Sequence, residues 1–198
     1  MKNEQIEVEV KVKLKSKEQA YELLRRIGAR FISSRIEKDI YFNHPNRDFK
    51  QTGEVLRLRK VDGRNLLTYK AIKSSLFKSR TEIEVEVSDY NLTLELLRRL
   101  GFVPIAHIFK ERETYQADIL GKTVNFLLDD VKGLGTFLEI EVLCNEVREG
   151  EKILNDIIKK LNLKEVITKS YLEMFLAKSN KYALVPQSHE KNNQDARE

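Results

Sequence analysis

Carboxylates recur at a spacing of two along this chain: Glu7 and Glu9 in IEVEV, Glu82, Glu84 and Glu86 in TEIEVEV, and Glu139 and Glu141 in LEIEV. Cations recur in the same way, as Arg57 and Arg59 in LRLRK and as Lys110 and Arg112 in FKERE. On a β-strand residues i and i+2 share a face, so each pair sets two like charges side by side. Carboxylate oxygens suit hard cations such as Mg²⁺ or Mn²⁺, and guanidiniums suit the forked oxygens of phosphate. The two sets together match a ligand that carries many negative charges and a divalent metal, such as a condensed phosphate. For one strand alone the plainer reading is the solvated face of a sheet. Repetition over several strands asks for more. If the sheet curls so that its charged faces meet, those charges must be paired, hydrated or neutralised by a ligand, because burying one unpaired costs several kcal/mol.

Strands and helices that would position these side chains can be read from period and punctuation. Strict alternation in IEVEVKVKL puts Ile6, Val8, Val10, Val12 and Leu14 on one face and Glu7, Glu9, Lys11 and Lys13 on the other. In SKEQAYELLRRIG, Ser16 and Gln19 have capping-box spacing, Leu23, Leu24 and Ile27 form an apolar face, and Gly28 is a stop. The same order returns in TEIEVEVSDYNLTLELLRRLGF, which ends at Gly101, and more loosely from FLEIEV through REGEKILNDIIKKLNL. Between these units KDIYFNHP is a strand stopped by Pro45. EVLRLRKV and NLLTYKAI flank DGR as a hairpin, and FKERETYQAD and KTVNFLLDDV flank ILG as another. About eight strands and three helices are expected, in an α+β domain whose sheet is mainly antiparallel, because parallel strands would each need a long crossover.

Composition narrows the functional classes. A chain of 198 residues is enough for one domain. Its formal charge of +5 is small beside 34% charged residues, so no DNA partner is expected. Cys144 is the only cysteine, which excludes an intrachain disulfide and points to a reducing, cytoplasmic setting. His44, His107 and His189 are too scattered to suggest a zinc cluster, so any metal would be held by oxygen. No apolar run of ~18 residues is available to cross a membrane. Residues 177–198, AKSNKYALVPQSHEKNNQDARE, are polar and are expected to form a flexible tail beyond a domain spanning 1–176.

Glu7, Glu9 and Lys11 form an ExExK pattern that resembles the signature of the CYTH superfamily, the triphosphate tunnel metalloenzymes. YFNHPNRDF, TGEVLRLRK, SRTEIEVEV, LDDVKGLGTFLEIEV and TKSYLEMFL follow in the family's order, so the resemblance covers roughly residues 5 to 176. HPNRDF and KSYLE look most like the class IV adenylyl cyclase branch. The resemblance implies an eight-stranded antiparallel β-barrel tunnel, open at both ends, with a charged interior and helices packed outside. It implies Mg²⁺ or Mn²⁺ as cofactor and a small-molecule triphosphate as substrate; the cyclase branch also implies a homodimer.

Carried over to this sequence, Glu7 and Glu9 resemble the first metal-ligating pair, opposed by Glu139, Glu141 and Asp129. Asp129 is favoured over Asp130 because it shares strand phase with Asn125 and Leu127. Glu84, with Glu82 beside it, is a further metal candidate. Lys11, Arg57, Arg59, Lys70, Lys110 and Arg112 resemble the triphosphate-gripping cations, followed by Lys73 and Arg80, and Lys169 of KSY stands near one mouth. Lys70 and Tyr41 are candidates for a part in the chemical step, although a tyrosine in DIYF is more often a core residue. Two reactions share such a tunnel: hydrolysis of tripolyphosphate or nucleoside triphosphate, and cyclisation of ATP to cyclic AMP and pyrophosphate. No motif specific for adenine is evident, which favours hydrolysis. A module that only binds a polyphosphate or an RNA 5′-triphosphate is the remaining alternative.

Overall fold

Local signals set the element boundaries. Ser16 accepts a hydrogen bond from the Gln19 N–H as the capping-box spacing predicts, while the Gln19 side chain reaches back to the Lys15 N–H at 2.8 Å, one residue before the N-cap. Asp62 and Gly63 both have positive φ, 47° and 76°, the backbone of a tight hairpin turn. In a computed structural model describing residues 6–72 and 80–183, the chain runs β1 (Ile6–Leu14), α1 (Lys17–Ile27), β2 (Arg30–Asn43), α2 (Phe49–Thr52), β3 (Val55–Val61), β4 (Arg64–Ile72), β5 (Arg80–Glu86), α3 (Tyr90–Arg99), β6 (Val103–Ile119), β7 (Lys122–Val131), β8 (Gly135–Cys144), α4 (Val147–Leu161), β9 (Val166–Ile167) and α5 (Tyr171–Ala183).

All strands belong to one antiparallel sheet in the order β5-β4-β3-β2-β6-β7-β8-β1-β9. Its apolar face is covered by helices in two patches. Val12, Val124, Phe126, Leu128, Leu138 and Ile140 pack with Leu23 and Leu24 of α1 and with Ile153, Leu154 and Ile157 of α4. Ile40, Phe42, Leu56 and Leu58 pack with Phe49 of α2 and Leu97 of α3. The opposite face carries the charged side chains.

That charged face is concave. A flat sheet would hold β4 and β1 roughly 29 Å apart at ~4.8 Å per strand, yet the Glu7 carboxyl feels the charges of Lys70 on β4 and Glu82 on β5. The sheet therefore curls until its two ends face each other.

Four expectations need correction. Among the described residues the barrel does not close: the sheet has nine strands, not eight, and no pairing joins β5 to β1 or β9. Not every helix packs outside, because α5 lies against the charged side through Tyr171, which packs with Ile108, Val131 and Phe137. The described residues form five helices where three were expected; α2 is a single turn, and α5 runs to Ala183, past residue 176. β2 begins at Arg30, well before KDIYF, and β6 at Val103, before FKERE. The rest of the expected tail, 184–198, lies outside the described residues. No helix among the described residues is long and apolar enough to cross a membrane.

Gly150 lets α4 sit directly on the sheet: a Cβ there would lie 2.7 Å from Val8 Cγ2, 2.8 Å from Val8 Cβ and 3.0 Å from Cys144 Sγ. Alanine is intrinsically the better helix former by ~1 kcal/mol, but overpacking a close contact costs about 1–3 kcal/mol. Gly150→Ala is accordingly expected to lower stability in urea unfolding, although the helix-propensity scale alone points the other way.

Candidate functional site

Strand register brings the charged residues together. On the concave face Glu9 lies opposite Glu141 and Lys11 opposite Glu139. Arg112 lies opposite Asp129 on one side and Arg35 on the other, and Lys110 opposite Glu37. Arg59 lies opposite Asp39, Arg57 between Tyr41 and Thr68, Glu84 opposite Thr68, and Glu82 opposite Lys70.

At one end of this face the carboxylates form no ion pair among the described residues. Glu7, Glu9 and Glu141 each offer an oxygen, and these oxygens all lie within 4.8 Å of one another. Burial and the neighbouring Glu7 push the Glu141 carboxyl up to about 8, with Glu139 and Glu9 adding to the effect and Arg112 opposing it. Burial and Glu9 also raise Glu7. Like charges this close resist joint ionisation, so the triad either retains protons or takes up a cation. Hard oxygen donors in this number fit Mg²⁺ or Mn²⁺ better than a softer metal.

At the other end every carboxylate is engaged by cations. Asp129 is fully buried; it accepts two hydrogen bonds from Arg112, at 2.6 and 2.5 Å, and one from the Tyr171 hydroxyl at 2.8 Å. Burial alone would raise its carboxyl, but Arg112 and Lys110 outweigh that and hold it below the usual range. Glu139 joins Arg112 and, at 2.9 Å, Lys11. Glu37, also fully buried, meets Arg35 at 2.7 Å, Arg59 at 2.8 Å and Lys110 at 3.1 Å. Despite burial, Lys110, Arg59 and Arg112 keep the Glu37 carboxyl well below its ordinary value. Arg59 grips Asp39 with two hydrogen bonds of 2.7 Å. Burial lowers the Lys110 ammonium, and the Arg112 charge adds to this.

The proposed site residues therefore fall into three groups. Glu7, Glu9 and Glu141 form the acidic triad. Asp129 and Glu139 share the face but are held in the cation cluster with Lys11, Lys110, Arg112 and Arg59. Arg57, Lys70, Glu82 and Glu84 line the β3–β5 side. There Lys70 pairs with Glu82 at 2.8 Å, and Arg57 reaches Thr68 at 3.2 Å and Glu84 at 3.7 Å. Arg57 Nε is buried and has no hydrogen-bond partner among the described residues. Tyr41 is half-buried on the same face, its hydroxyl 3.5 Å from Asp39, and burial with the Asp39 charge pushes it up to about 12. Lys169 contributes its carbonyl, which accepts from Lys11 at 3.4 Å, while the residue is exposed. Lys73 and the Arg80 side chain lie outside the described residues.

Glu37, Asp39, Arg35 and Tyr171 belong to the site without having been singled out in the sequence. The first two carried a readable signal: IEKDIY repeats acid, acid and tyrosine at a spacing of two, the same pattern that marked the other strands. HPNRDF, in contrast, packs on the outer side. Its His44 ring stands edge-on to Phe102, Asp48 caps α2, and Arg47 makes two hydrogen bonds to Glu54 at 2.9 and 3.0 Å.

With this geometry in hand, comparison with known proteins is decisive for the family. The CYTH domain model matches residues 5–176. This chain is a member of the CYTH family. A Methanocaldococcus jannaschii CYTH relative named "Putative adenylate cyclase MJ0240" is 40% identical over 175 residues, covering 85% of this chain and 98% of its own. The solved PH1819 protein of Pyrococcus horikoshii OT3 is 38% identical with a TM-score of 0.73, over 87% of this chain and 99% of its own. A Hippeastrum structure named "Putative adenylyl cyclase HpAC1", with a dominant triphosphatase activity in its description, has a similar fold at 18% identity and a TM-score of 0.65, over 87% of this chain and 96% of its own.

The crowded triad makes stability depend on pH. Because the folded state keeps the Glu141 proton up to about pH 8 while an unfolded carboxyl releases it near 4.5, the stability present below pH ~4.5 is lost as pH rises toward 8. Without metal, Glu141→Gln is expected to gain on the parent protein by at least ~1 kcal/mol between about pH 5 and pH 9, as read by thermal unfolding at each pH.

Proposed function

We propose that this protein binds a small-molecule triphosphate together with Mg²⁺ or Mn²⁺ on its concave face and hydrolyses it. The observation that carries the reading is a carboxylate triad with no ion pair among the described residues, set beside a cluster of lysines and arginines on one curved surface. Simple anion capture, whether of polyphosphate or of an RNA 5′-triphosphate, would need the cations alone and gains nothing from Glu7, Glu9 and Glu141. When bound, the divalent ion would supply charge neutralisation along the phosphate chain and a more acidic water. Glu7, Glu9 and Glu141 are the residues that would hold it.

The remaining side chains bind and orient. Arg57 has an unused N–H and, among the described residues, one long ion pair of 3.7 Å to Glu84, so it can grip a phosphate oxygen without first breaking a close ion pair. Lys70 sits opposite the triad across the curl and is suited to the end of the phosphate chain nearest the metal. Lys11, Lys110 and Arg112 already carry carboxylate partners, so phosphate would share or displace these. Arg59, with both Asp39 and Glu37, acts as a structural tie and not as a free phosphate ligand. Tyr41, held by burial in its neutral form, can donate a hydrogen bond but is a poor base.

Cyclisation of ATP is the second reading, favoured by the name of the Methanocaldococcus relative. It requires a site for adenine, and HPNRDF, the segment most like the cyclase branch, is occupied in packing on the outer face. The Hippeastrum protein, whose description sets a dominant triphosphatase activity against its cyclase name, is in keeping with the hydrolytic reading.

Incubation with Mn²⁺ and either tripolyphosphate or ATP distinguishes the two. Orthophosphate without cyclic nucleotide is expected; cyclic AMP with pyrophosphate would select the cyclase. Arg57→Ala is expected to raise KM about tenfold or more through a lost charge-assisted contact. Glu9→Gln is expected to lower kcat at fixed metal concentration by about 100-fold or more. Full turnover in Glu9→Gln would rule out the carboxylate triad as the metal site.

A further inference from the structure

We propose that Tyr171 is a positioning residue that holds Lys11 and Lys110 toward the phosphate chain, which makes the start of α5 part of the binding site. The role rests on the triphosphate reading above. Tyr171 opens α5 on the charged side of the sheet and is 8% exposed. Its ring centroid lies 4.2 Å from Lys11 Nζ and 5.3 Å from Lys110 Nζ, so one aromatic ring serves two ammonium groups. The hydroxyl donates to Asp129 at 2.8 Å, and the edge-on contact with Phe137, 5.2 Å between centroids, fixes the ring plane.

The chemistry of a ring differs from that of a carboxylate in the one respect that matters here. Both lysines are buried and already ion-paired, Lys11 with Glu139 at 2.9 Å and Lys110 with Glu37 at 3.1 Å, so the ring is a second hold on the flexible four-carbon stems. A further carboxylate in its place would complete the neutralisation and repel an incoming phosphate. A π face attracts the ammonium through its quadrupole and adds no negative charge. A tyrosine serving only to fasten α5 would need the packing against Phe137 and no ammonium over its face.

The test measures two affinities by calorimetry on the full chain: tripolyphosphate in EDTA, which reads the cations, and Mn²⁺ alone, which reads the acidic triad. Position 171 is replaced by phenylalanine and then by phenylalanines carrying increasing numbers of ring fluorines, which keep the shape and progressively weaken the quadrupole. Relative to Tyr171→Phe, the most fluorinated ring is expected to bind tripolyphosphate about tenfold more weakly, with Mn²⁺ affinity within about twofold and unfolding temperature unchanged. A flat response to fluorination in a protein that binds tripolyphosphate would overturn the positioning role alone. So would an equal loss of both affinities, which would mark Tyr171 as structural. No tripolyphosphate binding by the parent protein, either in EDTA or with Mn²⁺ added, would instead overturn the triphosphate reading, and the role of Tyr171 with it.

Discussion

Charge neutrality on one concave surface is the constraint from which the other features follow. Antiparallel register sends the polar half of each strand to the same side, and curvature forces those side chains toward one another. At the α5 end the problem is solved internally: Lys11, Arg35, Arg59, Lys110 and Arg112 are set against Glu37, Asp39, Asp129 and Glu139. Buried ion pairs of this kind add little net stability, but removing one partner leaves a charge that several kcal/mol of lost solvation would penalise. The cluster is therefore better understood as preorganised than as stabilising. At the Glu7 end no carboxylate is ion-paired among the described residues, which leaves the charge to be met by protons or a cation.

This division has a functional logic. A free row of cations would attract any anion and would be hard to fold; a fully paired row would bind none. Here Arg57 and Lys70 have loose or exposed partners, whereas Lys110 and Arg112 sit in buried networks. Approach of a triphosphate can begin at the loosely paired cations and finish where the geometry is already set, which keeps the reorganisation small. Among the described residues no pairing joins β5 to β1 or β9, and the acidic side chains on these strands, Glu82 and Glu84 on one and Glu7 and Glu9 on the other, would favour a ligand that arrives with its metal.

Much of this is legible in the sequence because period-two alternation records which side chains share a face. Glu7, Glu9, Arg57, Glu139 and Glu141 can be assigned to one surface from alternation alone, and capping signals at Ser16 and Gly28 bound α1. What alternation cannot record is curvature or distance between strands far apart in the sheet. Nothing in the pattern of the strands could therefore show that the barrel stays open. The separate fates of Glu139 and Glu141, two residues apart, likewise depend on which cross-strand neighbour is a cation: Lys11 faces the first and Glu9 the second. The place of α5 is hidden because YLEMFLAKSNKYA has an amphipathic pattern too weak to separate it from the polar segment that follows. β2 reads as too short because ISSR interrupts its alternation, and a register shift between Phe31 and Ser33 in the structure coincides with that interruption.

The central claim is that the opposed charges hold a metal and a condensed phosphate on the same concave face. Anomalous diffraction from crystals containing Mn²⁺ and a non-hydrolysable triphosphate analogue measures this most directly. The account predicts a manganese peak within coordinating reach of Glu7, Glu9 and Glu141, with the phosphates extending toward Arg57 and Arg112. Manganese found only on the outer surface, or phosphates bound away from the concave face, would contradict it.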